Sequence, residues 1–181
     1  MKKGKIYGLL GDGGSVTSEP FEQYVRHMQS PTCQVDIIYD SGRDTGKVCA
    51  DIISEDRDCN IILLGYSLGA NGCAWVQKAL VPWCKMLKVP LREIALIVGF
   101  DPTQNSRLDI FPIGAHVKRC LCFHQTSYLY PSTWLYGHGV YSRDPDGPQI
   151  EVTLCKASHL WVQSEGGLRA LCTTAVNSTL A

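Results

Sequence analysis

The stretch from Ile61 to Gly72, Ile-Ile-Leu-Leu-Gly-Tyr-Ser-Leu-Gly-Ala-Asn-Gly, restricts what this chain can fold into more than any other. Four apolar residues in a row, with no polar alternation, read as a strand buried on both faces, as in a parallel sheet. Gly65-Tyr66-Ser67-Leu68-Gly69 follows at once, and small residues able to open a helix come next. Between a strand and a helix, Gly-x-Ser-x-Gly is a nucleophile elbow, a tight and strained turn that leaves the serine hydroxyl exposed. The glycines are needed because such a turn brings the strand and helix backbones too close for side chains. The Leu68 amide then points to where an oxyanion would form, at a helix N-terminus that favours negative charge. The alternative is an ordinary strand-to-helix turn rich in small residues.

Length and charge narrow the setting. The 181 residues suffice for one domain spanning 1–181, with a sizeable core. Seventeen basic residues balance seventeen acidic ones, which argues against a nucleic-acid or anionic-membrane partner. No apolar run approaches a membrane span. The basic start Met1-Lys2-Lys3-Gly4-Lys5 leads into an apolar piece that ends at Leu10, too short for a signal peptide. Nine cysteines, an odd number without an export signal, read as reduced and mostly buried thiols in a cytoplasmic type of environment. Cys120, Cys122 and His124 alternate on one strand and in principle offer metal ligands, but no C-x-x-C pair accompanies them, so core packing is the preferred reading.

Along the chain, strands and helices alternate. Residues 5–10 form a first strand, followed by the loop Gly11-Asp12-Gly13-Gly14-Ser15. Phe21, Tyr24, Val25 and Met28 fall at i, i+3, i+4 and i+7, the spacing of a helix capped by Ser18 with Pro20 in its first turn. A second strand covers 34–39, and a helix over about 44–55 carries Thr45, Val48, Cys49 and Ile52 on one face. The helix after Ser67 is expected to run towards Leu80 and to break at Pro82. Further strands are predicted at 94–100, 116–123 and 149–154. The segment 124–148 is read as irregular, with Tyr128, Tyr130, Trp134, Tyr136 and Tyr141. Beyond His159, a last helix presents Leu168, Leu171, Cys172, Ala175 and Val176.

This alternation implies an α/β fold: a mostly parallel six-stranded sheet with helices on both faces. The ends of its strands then share one rim, with the strand order reversing between the first and third strands. At that rim a serine needs a base, itself held by a carboxylate, in the chain order Ser, acid, His. His159 follows the last strand and is the first candidate base, with His138 of Gly137-His138-Gly139 second. Asp101, ending a strand in Gly99-Phe100-Asp101-Pro102, is the candidate acid, with Asp144 and Asp146 as rivals. An Asx turn before proline would equally explain Asp101. The oxyanion hole would combine the Leu68 amide with that of Gly13 or Asp12. Tyr66, Tyr128, Trp134 and Leu160 are the candidate substrate contacts, although the aromatics of 124–148 would serve as well to cover a sheet edge. Neither G-x-G-x-x-G nor G-x-x-x-x-G-K-[ST] is present, which disfavours a phosphate-cradling loop.

Gly65-Tyr66-Ser67-Leu68-Gly69 resembles the Gly-Tyr-Ser-x-Gly of cutinases, and Ser158-His159-Leu160 is similar to their histidine segment. Gly99-Phe100-Asp101-Pro102 instead resembles the Gly-Leu-Asp-Pro acid segment of pancreatic-type lipases. The cutinase acid lies in a disulfide-closed loop nearer the histidine, which has no counterpart here. The resemblance, which covers nearly the whole chain, is to a small single-domain α/β-hydrolase of the cutinase-like type, without a large cap domain. It implies a Ser67–Asp101–His159 triad, no metal, no organic cofactor, and small-molecule or polymeric ester substrates. A thioesterase or amidase with the same triad is the alternative, as is a catalytically silent binding domain on the same scaffold.

Overall fold

The apolar runs form the interior of one sheet. A computed structural model describes residues 3–11, 18–40, 42–103, 112–126 and 141–181. Its strands are β1 (Gly4–Leu9), β2 (Cys33–Ile38), β3 (Asn60–Tyr66), β4 (Leu96–Phe100), β5 (Cys120–Gln125) and β6 (Ile150–Cys155). All neighbours pair in parallel, in the order β2-β1-β3-β4-β5-β6. The order reverses between β1 and β3, as the right-handed crossover rule requires of a doubly wound sheet. β3 lies between β1 and β4 and is buried from Ile61 to Tyr66, which is why it carries no polar alternation.

The helices are α1 (Glu19–Arg26), α2 (Thr45–Ser54), α3 (Leu68–Leu87), α4 (His159–Val162) and α5 (Gly166–Leu180). Strand alternation divides the core into two layers. Tyr7, Leu9, Ile61, Leu63 and Ile97 face Val48, Cys49 and Ile52 of α2 and Cys73, Val76 and Leu80 of α3. Ile6, Ile62, Leu64, Val98 and Phe123 face Phe21 and Val25 of α1 and Leu168, Cys172 and Val176 of α5. Burying a large aliphatic side chain contributes roughly 1.5–3 kcal/mol, so these two layers dominate stability. The nine cysteines are unpaired, and seven of them are buried among these side chains.

Three expectations are corrected. α3 does not stop at Pro82 but passes through it. Pro82 and Lys78 are both exposed, while buried Leu80 and Cys84 hold the helix to the sheet. The helix ends at Lys88, which adopts φ 54°, and the Val89 amide caps the Cys84 carbonyl at 3.0 Å. β4 and β5 begin later than expected, because Ile94 and Val117 make only an isolated bridge and Val117 closes a turn onto Gly114. Leu171, expected on the inner face of the last helix, is exposed.

One charged residue of the described strands is buried. Lys5 on β1 is buried, and its Nζ is 3.1 Å from Asp36, 2.9 Å from Asp51 and 2.8 Å from Glu55. The Tyr7 hydroxyl donates to Asp51 at 2.7 Å. A buried ammonium is tolerated only with such partners.

Candidate active site

The turn after β3 is strained and closely packed. Ser67 has φ 56° and ψ −124°, outside the regions open to ordinary residues. The turn is held because the Ser67 amide donates to the Phe100 carbonyl at 2.9 Å and the Ala70 amide to the Ser67 carbonyl at 3.0 Å. Such a conformation costs about 1–3 kcal/mol and persists only where its surroundings enforce it. The flanking glycines allow the close approach: a Cβ on Gly65 would meet the Ala70 backbone at 2.6 Å, and one on Gly69 would strike the Leu9 carbonyl. Ser67 itself stays partly exposed.

β4 delivers Asp101 beside it. Asp101 also has positive φ, 51°, which a short polar side chain tolerates better than most. Its amide donates to the Phe123 carbonyl at 2.7 Å, tying it to β5. Thr103, two residues further on, is fixed by α3, because buried Asn71 accepts from the Thr103 amide at 2.9 Å and donates to the Thr103 carbonyl at 2.7 Å. The Asp101 side chain is fully buried, and its Oδ1 accepts from the Gln125 amide at 3.3 Å. Burial alone pushes this carboxyl up. The His124 and His159 rings and the Gln125 amide outweigh burial and bring it below the usual carboxylate range, so it is ionised at neutral pH.

His159 is the first residue of α4 and is buried. Its Nδ1 lies 2.6 Å from Asp101 Oδ2 and its Nε2 lies 2.9 Å from Ser67 Oγ. With Asp101 ionised, the neutral ring carries its proton on Nδ1 and leaves Nε2 free to accept from the serine. The α4 segment is anchored by Val162 in the core and by Arg169, which donates to the Gln163 and Pro20 carbonyls at 2.7 and 2.8 Å. Ser67, His159 and Asp101 thus stand in one continuous line of contacts.

The other expected residues are distributed differently. Tyr66 does not face substrate space. It lies beneath His159 with its ring stacked at 5.4 Å, and its hydroxyl donates to the His159 carbonyl at 3.0 Å. The strand alternation explains this, because Tyr66 shares a face with Ile62 and Leu64. Leu160 is exposed beside His159. Tyr141 is not a wall residue either: it is buried against Gly99, and its hydroxyl donates to the Ala70 carbonyl at 2.6 Å. Asp144 lies beside His116 and Asp146 is exposed; the carboxylate at His159 is that of Asp101. Asp12, Gly13, Tyr128, Tyr130, Trp134, Tyr136 and His138 lie outside the described residues.

Gly11, the first residue of the loop after β1, backs directly onto the turn. A Cβ there would lie 3.3 Å from Ser67 Cβ and 3.4 Å from the Leu68 nitrogen. Two residues with a bearing on the site were not assigned to it from sequence: Asn71 and His124. Their partners lie 32 and 23 residues away along the chain, beyond any local pattern. Among the described residues no group of three or more His, Cys, Asp or Glu side chains is arranged to hold a metal ion. No described helix is long and apolar enough to cross a membrane.

Comparison of the sequence with protein-family models and with curated proteins finds no match. Comparison of the fold with solved structures does. Human thioesterase 2 superposes with a TM-score of 0.58 at 10% identity, covering 98% of this chain and 96% of that one. A lidless α/β serine hydrolase from Xanthomonas campestris gives 0.58 at 15% identity, over 99% and 84% of the two chains. A cutinase-like protein from Cryptococcus sp. gives 0.53 at 13% identity, over 98% and 95%. At these identities the likeness is one of fold, and the chain has the α/β-hydrolase fold.

Proposed function

We propose that this chain is a serine hydrolase of carboxylic esters that works through an acyl-enzyme. The observation that carries the reading is the line of contacts from Ser67 Oγ to His159 Nε2 at 2.9 Å and from His159 Nδ1 to Asp101 Oδ2 at 2.6 Å. A serine hydroxyl is a poor nucleophile at neutral pH and needs such a base within hydrogen-bond reach. His159 takes the Ser67 proton as Oγ attacks the ester carbonyl, and the tetrahedral oxyanion is held by the Leu68 amide together with that of Gly13 or Asp12. The imidazolium, stabilised by ionised Asp101, gives its proton to the leaving alcohol as the C–O bond breaks. Water then repeats the sequence on the acyl-enzyme, releasing the acid and restoring Ser67. Leu160, Tyr128 and Trp134 are proposed to contact the acyl or alcohol part.

The test is labelling with a fluorophosphonate, which reacts only with an activated serine. One adduct per chain, mapped to Ser67 by mass spectrometry and lost in S67A and H159A, is expected. A chain that takes no adduct and turns over no p-nitrophenyl butyrate would sink the proposal. A thioester substrate is the second reading, motivated by the fold likeness to human thioesterase 2. Rates on oxygen and sulfur esters of one acyl group separate the two.

A further inference from the structure

The acid at this site serves two imidazoles. His159 Nδ1 occupies Asp101 Oδ2, and His124 Nδ1 lies 3.5 Å from the other oxygen, Oδ1. That distance is longer than a good hydrogen bond and makes the contact chiefly electrostatic. The His124 side chain is only 16% exposed and the Asp101 side chain is fully buried, so water screens their interaction poorly. His124 stands at the end of β5 in the alternation of Cys120 and Cys122, which belong to the core layer beneath α3. His159 opens α4, whose Val162 belongs to the opposite layer. The two rings therefore reach the carboxylate from elements on different sides of the sheet.

We propose that His124 is a positioning residue that acts on Ser67 chemistry through Asp101, fixing the carboxylate and setting the pH at which His159 becomes a free base. The proposal rests on the hydrolase reading for its catalytic consequence, but not for the coupling itself. An N–H dipole or a positive charge at Oδ1 draws electron density from the carboxylate, so Asp101 holds a proton on His159 less strongly. Two protonated rings on one carboxylate would also repel each other. The other titratable groups around Asp101 are Cys122 on β5 and Cys155 on β6, with Glu165 beyond Cys155. Burial raises both thiols, which leaves them neutral where the imidazoles titrate. The Gln125 amide is the remaining donor at Oδ1 and does not titrate.

The test uses the full chain and two variants, H124F and H124Q. Proton NMR follows the His159 ring and its Nδ1–H through pH, independently of turnover, and kcat and KM are measured over the same range on p-nitrophenyl butyrate. In H124F the His159 titration and the acid limb of kcat/KM are both expected to move to higher pH by roughly half a unit or more. The kcat on the plateau is expected to fall about three- to tenfold, with KM unchanged. H124Q, which keeps an N–H donor but cannot ionise, is expected to recover most of kcat. Unchanged His159 titration in both folded variants overturns the proposal, whatever the ester rates. A shifted titration in a chain whose wild type turns over no ester upholds the coupling while the hydrolase reading fails.

Discussion

Two clusters of buried charge sit on the same sheet and differ in what surrounds them. At the start of β1, one ammonium, Lys5, is shared by the carboxylates of Asp36, Asp51 and Glu55. At the ends of β3 and β4, one carboxylate, Asp101, is shared by the rings of His159 and His124. The Lys5 cluster hangs on regular β1, β2 and α2 backbone, whereas Ser67 and Asp101 both have positive φ. The Lys5 cluster also holds a hydroxyl on a carboxylate, that of Tyr7 on Asp51, but Tyr7 is buried whereas Ser67 is partly exposed. Polar clustering alone therefore does not mark a reactive centre. Backbone strain beside a partly exposed nucleophile does.

The largest effect expected from this contrast is catalytic and confined to one cluster. S67A or H159A is expected to lower kcat on p-nitrophenyl butyrate by about 10⁴ or more, whereas K5M leaves it within a factor of two. Loss of rate in K5M without unfolding would erase the distinction.

Next comes stability, where K5M is expected to cost about 1 kcal/mol in urea unfolding, because its carboxylate partners are partly exposed and water replaces the ammonium around them. The two clusters also predict opposite pH slopes. Lys5 is pushed down by burial and pulled further up by Glu55, Asp51 and Asp36, ending above its ordinary value. Its contribution is therefore complete below about pH 10.4 and is lost as pH rises through the raised folded value. Asp101 ends below its ordinary value, so its contribution is present above about pH 3.9 and is lost as pH falls through the depressed folded value. Asp51, raised by burial but lowered more by Lys5 and Tyr7, behaves as Asp101 does. Urea midpoints against pH should thus lose the alkaline slope and part of the acid slope in K5M. D101N should lose acid slope only.

Smaller effects probe the mounting of the rim. N71A removes all three hydrogen bonds to Thr103 and is expected to cost about 1–2 kcal/mol and to lower kcat roughly tenfold by loosening the Asp101 turn. Y66F, which deletes the bond to the His159 carbonyl, is expected to cost about 1 kcal/mol and a few-fold in kcat, with KM unchanged. Thermal melts and initial rates measure both. An N71A that melts early but turns over normally would make Asn71 purely structural.

The sequence carried the architecture further than it carried the site. A continuous apolar run before Gly-x-Ser-x-Gly has few structural solutions, so β3 and the turn could be placed by local chemistry alone. Pro82 sits inside α3 on its exposed side, with Leu80 and Cys84 buried beside it, and that tertiary support is not written in the local sequence. Tyr66 is expected among the substrate contacts, yet counting by twos from Ile62 puts it in the core. Asn71 and His124 were illegible for a different reason. Their roles depend on the register of β4 against β3 and β5, which brings distant backbone segments together and leaves no periodic trace.

The burial of the cysteines gives the molecule a gauge of its own integrity. Seven thiols are enclosed in the core, and only Cys59 and Cys155 lie partly open, each with a pKa raised by burial. Thiolates, not thiols, react with alkylating reagents. A closed molecule at neutral pH therefore accepts at most two slow additions, while one that has opened accepts nine. The intact mass after a short pulse of iodoacetamide then sorts a mixed population, chain by chain, into those that had kept their interior shut and those that had not.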